Sequence, residues 1–370
     1  APLDSYRMNA PRWETLLDID ALADSEAENW IWHGYDCLGP DYVHCLVDLS
    51  RGGSDASVLR EFSLASKSFV DDGFTIPEGK NNADWVDADT LLVAADWGEG
   101  RTDSGYPRIV KRWTRGEPFA AAAPLFEGET TDVAAGASVL RHSGEAFPLI
   151  ERAVTFYDSE YRWLQANGEL APLPLPKRVR LAGVFQGRLL VWLQQDWAHN
   201  GASYAQGALV ALRFDDLSSE LIFEPAETQS LNDVAATKTS IVLTLLDDVV
   251  GKAVRLTPAA DGWTSAEIPV PPNGVVSLAG SSGARDDFFL IHESLTAPQT
   301  LLHVAANDRL AVSMTLPAFY DASAVAVEQH FATSKDGTRV PYFVMGKKDV
   351  LAQGAAPTIQ YGYGGFLIPI

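Results

Sequence analysis

Arg60-Glu-Phe-Ser-Leu-Ala-Ser-Lys-Ser-Phe-Val70 decides how the surrounding chain is read. From Glu61 polar and apolar residues alternate up to Leu64, a polar turn follows, and a second short apolar run closes the stretch. Alternation with a period of two puts one set of side chains on one face of a strand. Two such runs about a polar turn are a pair of antiparallel strands. The same texture recurs at His44–Leu49, Val58–Phe62, Thr90–Ala94, Ile109–Trp113, Leu189–Leu193, Leu209–Phe214, Ile241–Leu245 and Phe288–His292. Stretches with a helical period are rare, and only Asp18–Glu28 reads as a short helix.

The strands fall into groups: Trp30–Phe69, Trp85–Phe126, Val133–Leu175, Val179–Phe223, Val234–Val270 and Val275–Leu316. They open about 45 residues apart, within the spacing of propeller blades. Each group follows one grammar of strand, acidic or glycine turn, apolar strand, polar connection and two outer strands. The expected fold is therefore mainly β, a β-propeller of about six blades, with a sandwich as the weaker alternative because six similar units exceed what one sandwich needs. Trp13-Glu-Thr-Leu-Leu-Asp18 reads as the outermost strand of one further blade, and the chain as cut at both ends.

After Tyr320 the texture changes. Gln329–Gly346 reads as a hairpin about Asp336-Gly337. A polar loop, Lys347–Ala356, then leads into a strand, Ala356–Gln360, and the loop Tyr361-Gly-Tyr-Gly-Gly-Phe366. A strand entering a glycine-rich aromatic loop is how an α/β-hydrolase builds one side of its oxyanion hole. The nucleophile elbow of such enzymes, G-x-S-x-G, does not occur in the 370 residues. The expected division is a propeller over 1–325 and the first strands of an α/β-hydrolase domain over 326–370.

Forty-nine acidic and 28 basic residues give a net charge of −21. That argues against nucleic acid as a partner, since binding it requires a basic face to displace counterions, and against anionic membrane surfaces. No run reaches the roughly 18 apolar residues of a membrane span. Cys37 and Cys45 flank a Gly-Pro-Asp turn, either as two free thiols or as a bridge across a hairpin. Free thiols are the default and place the chain in the cytoplasm, whereas a bridge would mean an oxidising compartment such as the periplasm. No His/Cys cluster completes a four-ligand set, so neither metal nor cofactor is expected.

At Ser334-Lys-Asp-Gly-Thr338, Val340-Pro341 and Tyr361–Phe366 the chain resembles the prolyl oligopeptidase family of serine peptidases. Ser294-Leu-Thr-Ala-Pro298 is similar to a segment of that family's last blade. Tyr363 in the third place of the loop favours the prolyl-specific branch over relatives similar to oligopeptidase B. The resemblance implies a seven-bladed propeller capping a hydrolase domain that cleaves short peptides after proline with a Ser-Asp-His triad. It implies that Tyr363 donates a hydrogen bond to the oxyanion, that Gly362, Gly364 and Gly365 let its loop turn, and that Tyr361 and Phe366 pack. The remainder of the hydrolase domain would be needed for activity. A non-catalytic propeller scaffold and a relative of different specificity are the alternatives.

The seven histidines lie in or beside strand-like segments and read as structural. The pairs Asp71-Asp72, Asp215-Asp216, Asp247-Asp248 and Asp286-Asp287 read as turn residues. The indoles of Trp30, Trp32, Trp85, Trp97, Trp113, Trp192 and Trp197 read as packing between strands.

Overall fold

The computed structural model describes residues 5, 6, 8, 11–98 and 100–363. The chain forms two compact units, one holding residues 13–221 and the other the described residues from 222 onward. Strands follow one another in antiparallel sheets of four, in chain order, which is the construction of β-propeller blades.

The first unit opens with helix α1, Ile19–Glu26, capped by Asp18, whose carboxylate accepts the Ala21 N–H at 3.0 Å. Four sheets follow. The first comprises Trp30–Cys37, His44–Arg51, Ser57–Ser63 and Ser68–Phe69, with Thr75–Gly79 added against its third strand. The second comprises Asn82–Asp87, Thr90–Ala95, Ile109–Thr114 and Ala123–Glu127. The third comprises Ala134–His142, Glu145–Ala153, Ser159–Leu164 and Leu170–Pro172. The fourth comprises Val179–Phe185, Arg188–Leu193, Leu209–Arg213 and Ser219–Phe223, and a small hairpin, Trp197–His199 with Ala202–Tyr204, is inserted within it.

The second unit holds a fifth sheet, Gln229–Ala236, Ile241–Asp247, Val250–Ala259 and Gly262–Ile268. A sixth contains Val275–Gly280, Phe288–Glu293, Thr300–Val304 and Leu310–Thr315. A separate two-stranded ribbon, Val325–Thr333 with Arg339–Lys347, leads into helix α2, Lys348–Gln353.

Second strands such as Thr90–Ala95 are largely apolar because they are buried on both faces. In Leu91–Ala95, Leu91 and Val93 pack with Leu46, Phe74, Ile76 and Trp113 in the layer between the first two sheets. Leu92 and Ala94 point the other way and pack with Ala137, Val139 and Ile150 of the third sheet. Leu149 and Ile150 divide in the same manner, Leu149 joining the core against the fourth sheet with Val191 and Leu212. In the second unit Val242, Ile268, Phe288 and Leu302 fill the layer between the fifth and sixth sheets.

The first strand of each sheet lies at the sheet's edge, so alternate backbone groups lack a ladder partner and require another. Side chains from the preceding first strand supply it. Asn82 Oδ1 accepts from Ala137 N at 2.7 Å, and Asp84 Oδ2 from Val139 N at 2.6 Å. Asp233 Oδ2 accepts from Leu278 N at 3.0 Å, while Asn232 Nδ2 donates to Val276 O at 3.2 Å. A bulge at Leu231/Asp233 interrupts the register where these last two side chains project.

Ionic links tie the same sheets further out. Glu61 is buried in the first sheet, and Arg115, just past the third strand of the second, grips its carboxylate in a fork at 2.9 and 3.0 Å. Phe74 N–H and a ring nitrogen of His44 complete that carboxylate's shell at 2.9 and 2.8 Å. Arg255 reaches from the fifth sheet to Asp308 at 2.7 Å and to the Asp286 carbonyl at 3.1 Å.

Several expectations need correction. Trp13–Asp18 forms no strand. Asp18 commits the chain to the helix that follows, and Trp13 is exposed. Lys347–Ala356 is not simply a loop, since α2 occupies most of it and ends at Gly354 in the left-handed region at φ 72°. Ala356–Gln360 is not a strand, because no neighbouring strand pairs with it among the described residues. The bridge between Cys37 and Cys45 is present, the two residues facing each other across the first hairpin with Cα atoms 3.9 Å apart.

Two stability effects of opposite kind follow. Glu61→Ala would strand the Arg115 fork and a buried N–H, and should cost roughly 3 kcal/mol in urea denaturation. Asp84 titrates in the other direction. Burial raises its carboxyl to about 6, with the nearby Asp36 carboxylate adding to the rise and Arg141, 3.8 Å away, opposing it. A raised acid is held protonated by the fold, so its stabilisation is present below the unfolded value near 4 and lost as pH rises through 6. Thermal melts should fall between pH 4 and 6 by an amount equivalent to at most about 3 kcal/mol, and Asp84→Asn should flatten that step.

Candidate functional site

The ribbon after Tyr320 is set by its turn. Asp336 accepts from Thr338 N at 3.0 Å and from the Ser334 hydroxyl, while Ser334 N donates to Thr338 O at 2.9 Å. The Ser334 hydroxyl and the Thr338 N–H hold the Asp336 carboxyl down to about 2. Gly337 takes φ 91°, a conformation that a side chain would strain. Gln329 ties the ribbon to the fifth sheet by donating to Asp248 O at 2.6 Å.

Beyond α2 the chain runs without regular structure to Tyr363. Tyr363 is 51% exposed, and its hydroxyl makes no hydrogen bond among the described residues. A Cβ on Gly362 would meet nothing within 4 Å, so no close packing dictates glycine there. Gly364, Gly365 and Phe366 lie outside the described residues. Tyr361, expected to pack, is 79% exposed because nothing among the described residues covers it.

The other candidates resolve as structural. His44 serves Glu61, His303 meets Asp287 at 3.0 Å, and His199 contacts the Leu217 carbonyl at 2.8 Å. His33 meets Ser50 Oγ at 2.9 Å, but Ser50 is wholly buried and cannot serve as a nucleophile for a substrate. Asp215 is held near 2 by Arg213, and Asp216 caps the Ser218 N–H, as turn chemistry requires. Trp30, Trp85, Trp113 and Trp197 are buried as expected, whereas Trp32 is exposed. Among the described residues no group of three or more His, Cys, Asp or Glu could hold a metal ion, and no helix is long and apolar enough to cross a membrane.

One feature has no counterpart in the sequence reading. A cleft of about 440 Å³ opens along the first strands of the first three sheets, with His33, Asp48, Lys80, Tyr106, Ala137 and Glu151 on its walls. The small run Ala134-Ala-Gly-Ala-Ser138 makes room for it, and this run was the only available sequence signal.

Comparison with known proteins bears on the whole chain. The family described as "Prolyl oligopeptidase, N-terminal beta-propeller domain" matches residues 4–312. The uncharacterized peptidase y4nA of Sinorhizobium fredii is 36% identical over 99% of this chain and 53% of its own length. A prolyl endopeptidase of Elizabethkingia miricola is 27% identical over 33% of this chain and 16% of its own. The solved structure of a post-proline cleaving enzyme from Rickettsia typhi superposes with a TM-score of 0.85 at 27% identity, covering 94% of this chain and 53% of that one. The chain thus spans about half the length of the first two of these whole-chain matches, y4nA and the Rickettsia enzyme.

Because the Tyr363 hydroxyl makes no hydrogen bond among the described residues, Tyr363→Phe should leave the thermal stability of this chain unchanged within about 0.5 kcal/mol. A larger loss in a melt would assign the phenol a packing role.

Proposed function

This chain belongs to the prolyl oligopeptidase family, and from that membership we propose that it is the propeller-bearing front half of a serine peptidase that hydrolyses short peptides on the carboxyl side of proline. The propeller occupies 1–325, and 326–370 begins the catalytic domain. Two of the relatives are named for cleavage at or after proline, which supports this specificity. The Cys37–Cys45 bridge favours an oxidising compartment such as the periplasm over the cytoplasm.

The observation that carries the reading is the order of Ser334–Pro341 and Tyr361–Phe366, with a Tyr363 hydroxyl that makes no hydrogen bond among the described residues. Attack of a serine on a peptide carbonyl generates a tetrahedral oxyanion, and preorganised donors at that oxygen supply much of the acceleration. A phenol is neutral at pH 7 and projects further than a backbone N–H, so it can act as one of two donors. Tyr363 takes that role. The nucleophile, its base and the second donor come from the rest of the catalytic domain, and the propeller restricts access to short peptides.

In the full-length protein Tyr363→Phe should lower kcat on a proline-containing chromogenic peptide by about 10²-fold with little change in KM. Tyr361→Phe serves as the mild control. An unchanged kcat, or a loss confined to KM, would remove Tyr363 from the oxyanion site. Equal turnover of peptides lacking proline would remove the specificity.

A further inference from the structure

The turn between the second and third strands of the fifth sheet is held in a conformation that its sequence disfavours. Asp247 pairs with Val250, so the loop between them is the two residues Asp248 and Val249. Both have positive φ, 47° and 61°. A two-residue hairpin of this kind matches the twist of its strands and takes Asn-Gly or Asp-Gly by preference. Asp248 suits the first place. Val249 does not suit the second, because a β-branched side chain in the left-handed region is strained.

Such strain persists only where the surroundings over-determine the backbone. Asp248 N donates to Thr228 O at 2.9 Å. The Asp247 carboxylate accepts from Thr228 Oγ1 at 2.9 Å and from Gln229 Nε2 at 3.2 Å. Two residues beyond Val249, Gly251 N donates to Gly274 O at 2.7 Å, just before the first strand of the sixth sheet. A Cβ on Gly251 would lie 2.6 Å from Val276 N, so the two sheets approach closely there. The last contact comes from the ribbon, where Gln329 Nε2 donates to Asp248 O at 2.6 Å. That carbonyl belongs to the peptide between Asp248 and Val249. Turning this peptide over converts a type I′ turn into a type II′ turn, in which the first residue keeps positive φ and the second returns to negative φ.

We infer that this peptide is a two-state element coupling the ribbon to the seam between the fifth and sixth sheets. With the ribbon docked, Gln329 holds the Asp248 carbonyl and keeps Val249 in the left-handed region. With the ribbon released, the peptide turns over, Val249 relaxes, and the Gly251–Gly274 contact loosens. Docking is thereby opposed by the strain it imposes, and by linkage a closed seam favours docking in return. The coupling holds whatever reaction the longer protein catalyses.

The test is amide hydrogen exchange of the full-length protein, read at Asp248 and Gly251, whose N–H groups bond Thr228 and Gly274 and not Gln329. Gln329→Ala should speed exchange at both by about tenfold. Loss of one side-chain contact without a change of turn would leave both rates as they are. Val249→Gly removes the penalty on positive φ, so it should slow exchange at both amides about threefold and raise Tm by about 1–2 °C. On that background Gln329→Ala should change the two rates by less than about twofold, because the turn no longer depends on the ribbon. Gln329→Glu, which keeps the side-chain length but replaces the donor with an acceptor, takes the place of the alanine variant should that one fail to fold. Unchanged exchange at Asp248 and Gly251 on loss of the Gln329 donor, an equal response with and without Val249→Gly, or a lower Tm for Val249→Gly would overturn the coupling.

Discussion

The backbone at the edge of each first strand is the constraint on which the rest of the structure depends. A sheet of four strands buries its faces against neighbours but leaves one row of N–H and C=O groups with no strand beside them. Asn82 and Asp84 meet that requirement for the third sheet, and Asn232 and Asp233 for the sixth. The hydrophobic layers between sheets are large but not directional. The side-chain-to-backbone bonds fix which residue of one sheet lies beside which residue of the next. The Glu61–Arg115 fork and the Arg255–Asp308 pair repeat this arrangement further from the edge.

How much was legible in the sequence depended on whether a segment contacts itself or something distant. Central strands such as Leu91–Ala95 and Leu209–Arg213 are apolar on both faces and stand out as short continuous runs. The helix at Ile19–Glu26 was legible from a local helical period within Asp18–Glu28, because its contacts are near in sequence. Trp13–Asp18 had a strand-like composition, but composition cannot report that no strand pairs with it among the described residues. The fifth sheet begins at Gln229, five residues before its expected first residue, because that strand carries the polar residues that reach the next sheet. Residues recruited as donors and acceptors read as turn-formers until their partners are known.

The site divides in the same way. Tyr363 and the turn at Asp336-Gly337 belong to contiguous motifs, and contiguous motifs can be read from order alone. The cleft beside Asp48 is lined by strands and connections of three sheets, separated by up to about a hundred residues, and only the small run Ala134–Ser138 hinted at it. Its charge balance is a property of the fold: Lys80 and Asp55 neutralise each other, while Asp48 stands apart.

The two-faced burial of the second strands also governs how this chain can change length. Adding one residue inside Leu91–Ala95 would reverse the direction of every side chain beyond it and exchange the occupants of two packing layers together. Deletion would do the same. Length variation is therefore confined to the connections, where no strand register is at stake. The stretch from 96 to 108 and the inserted hairpin at 197–204 lie in such connections. Lineages carrying this architecture should accordingly diverge by growing and trimming those connections, with strand lengths held constant.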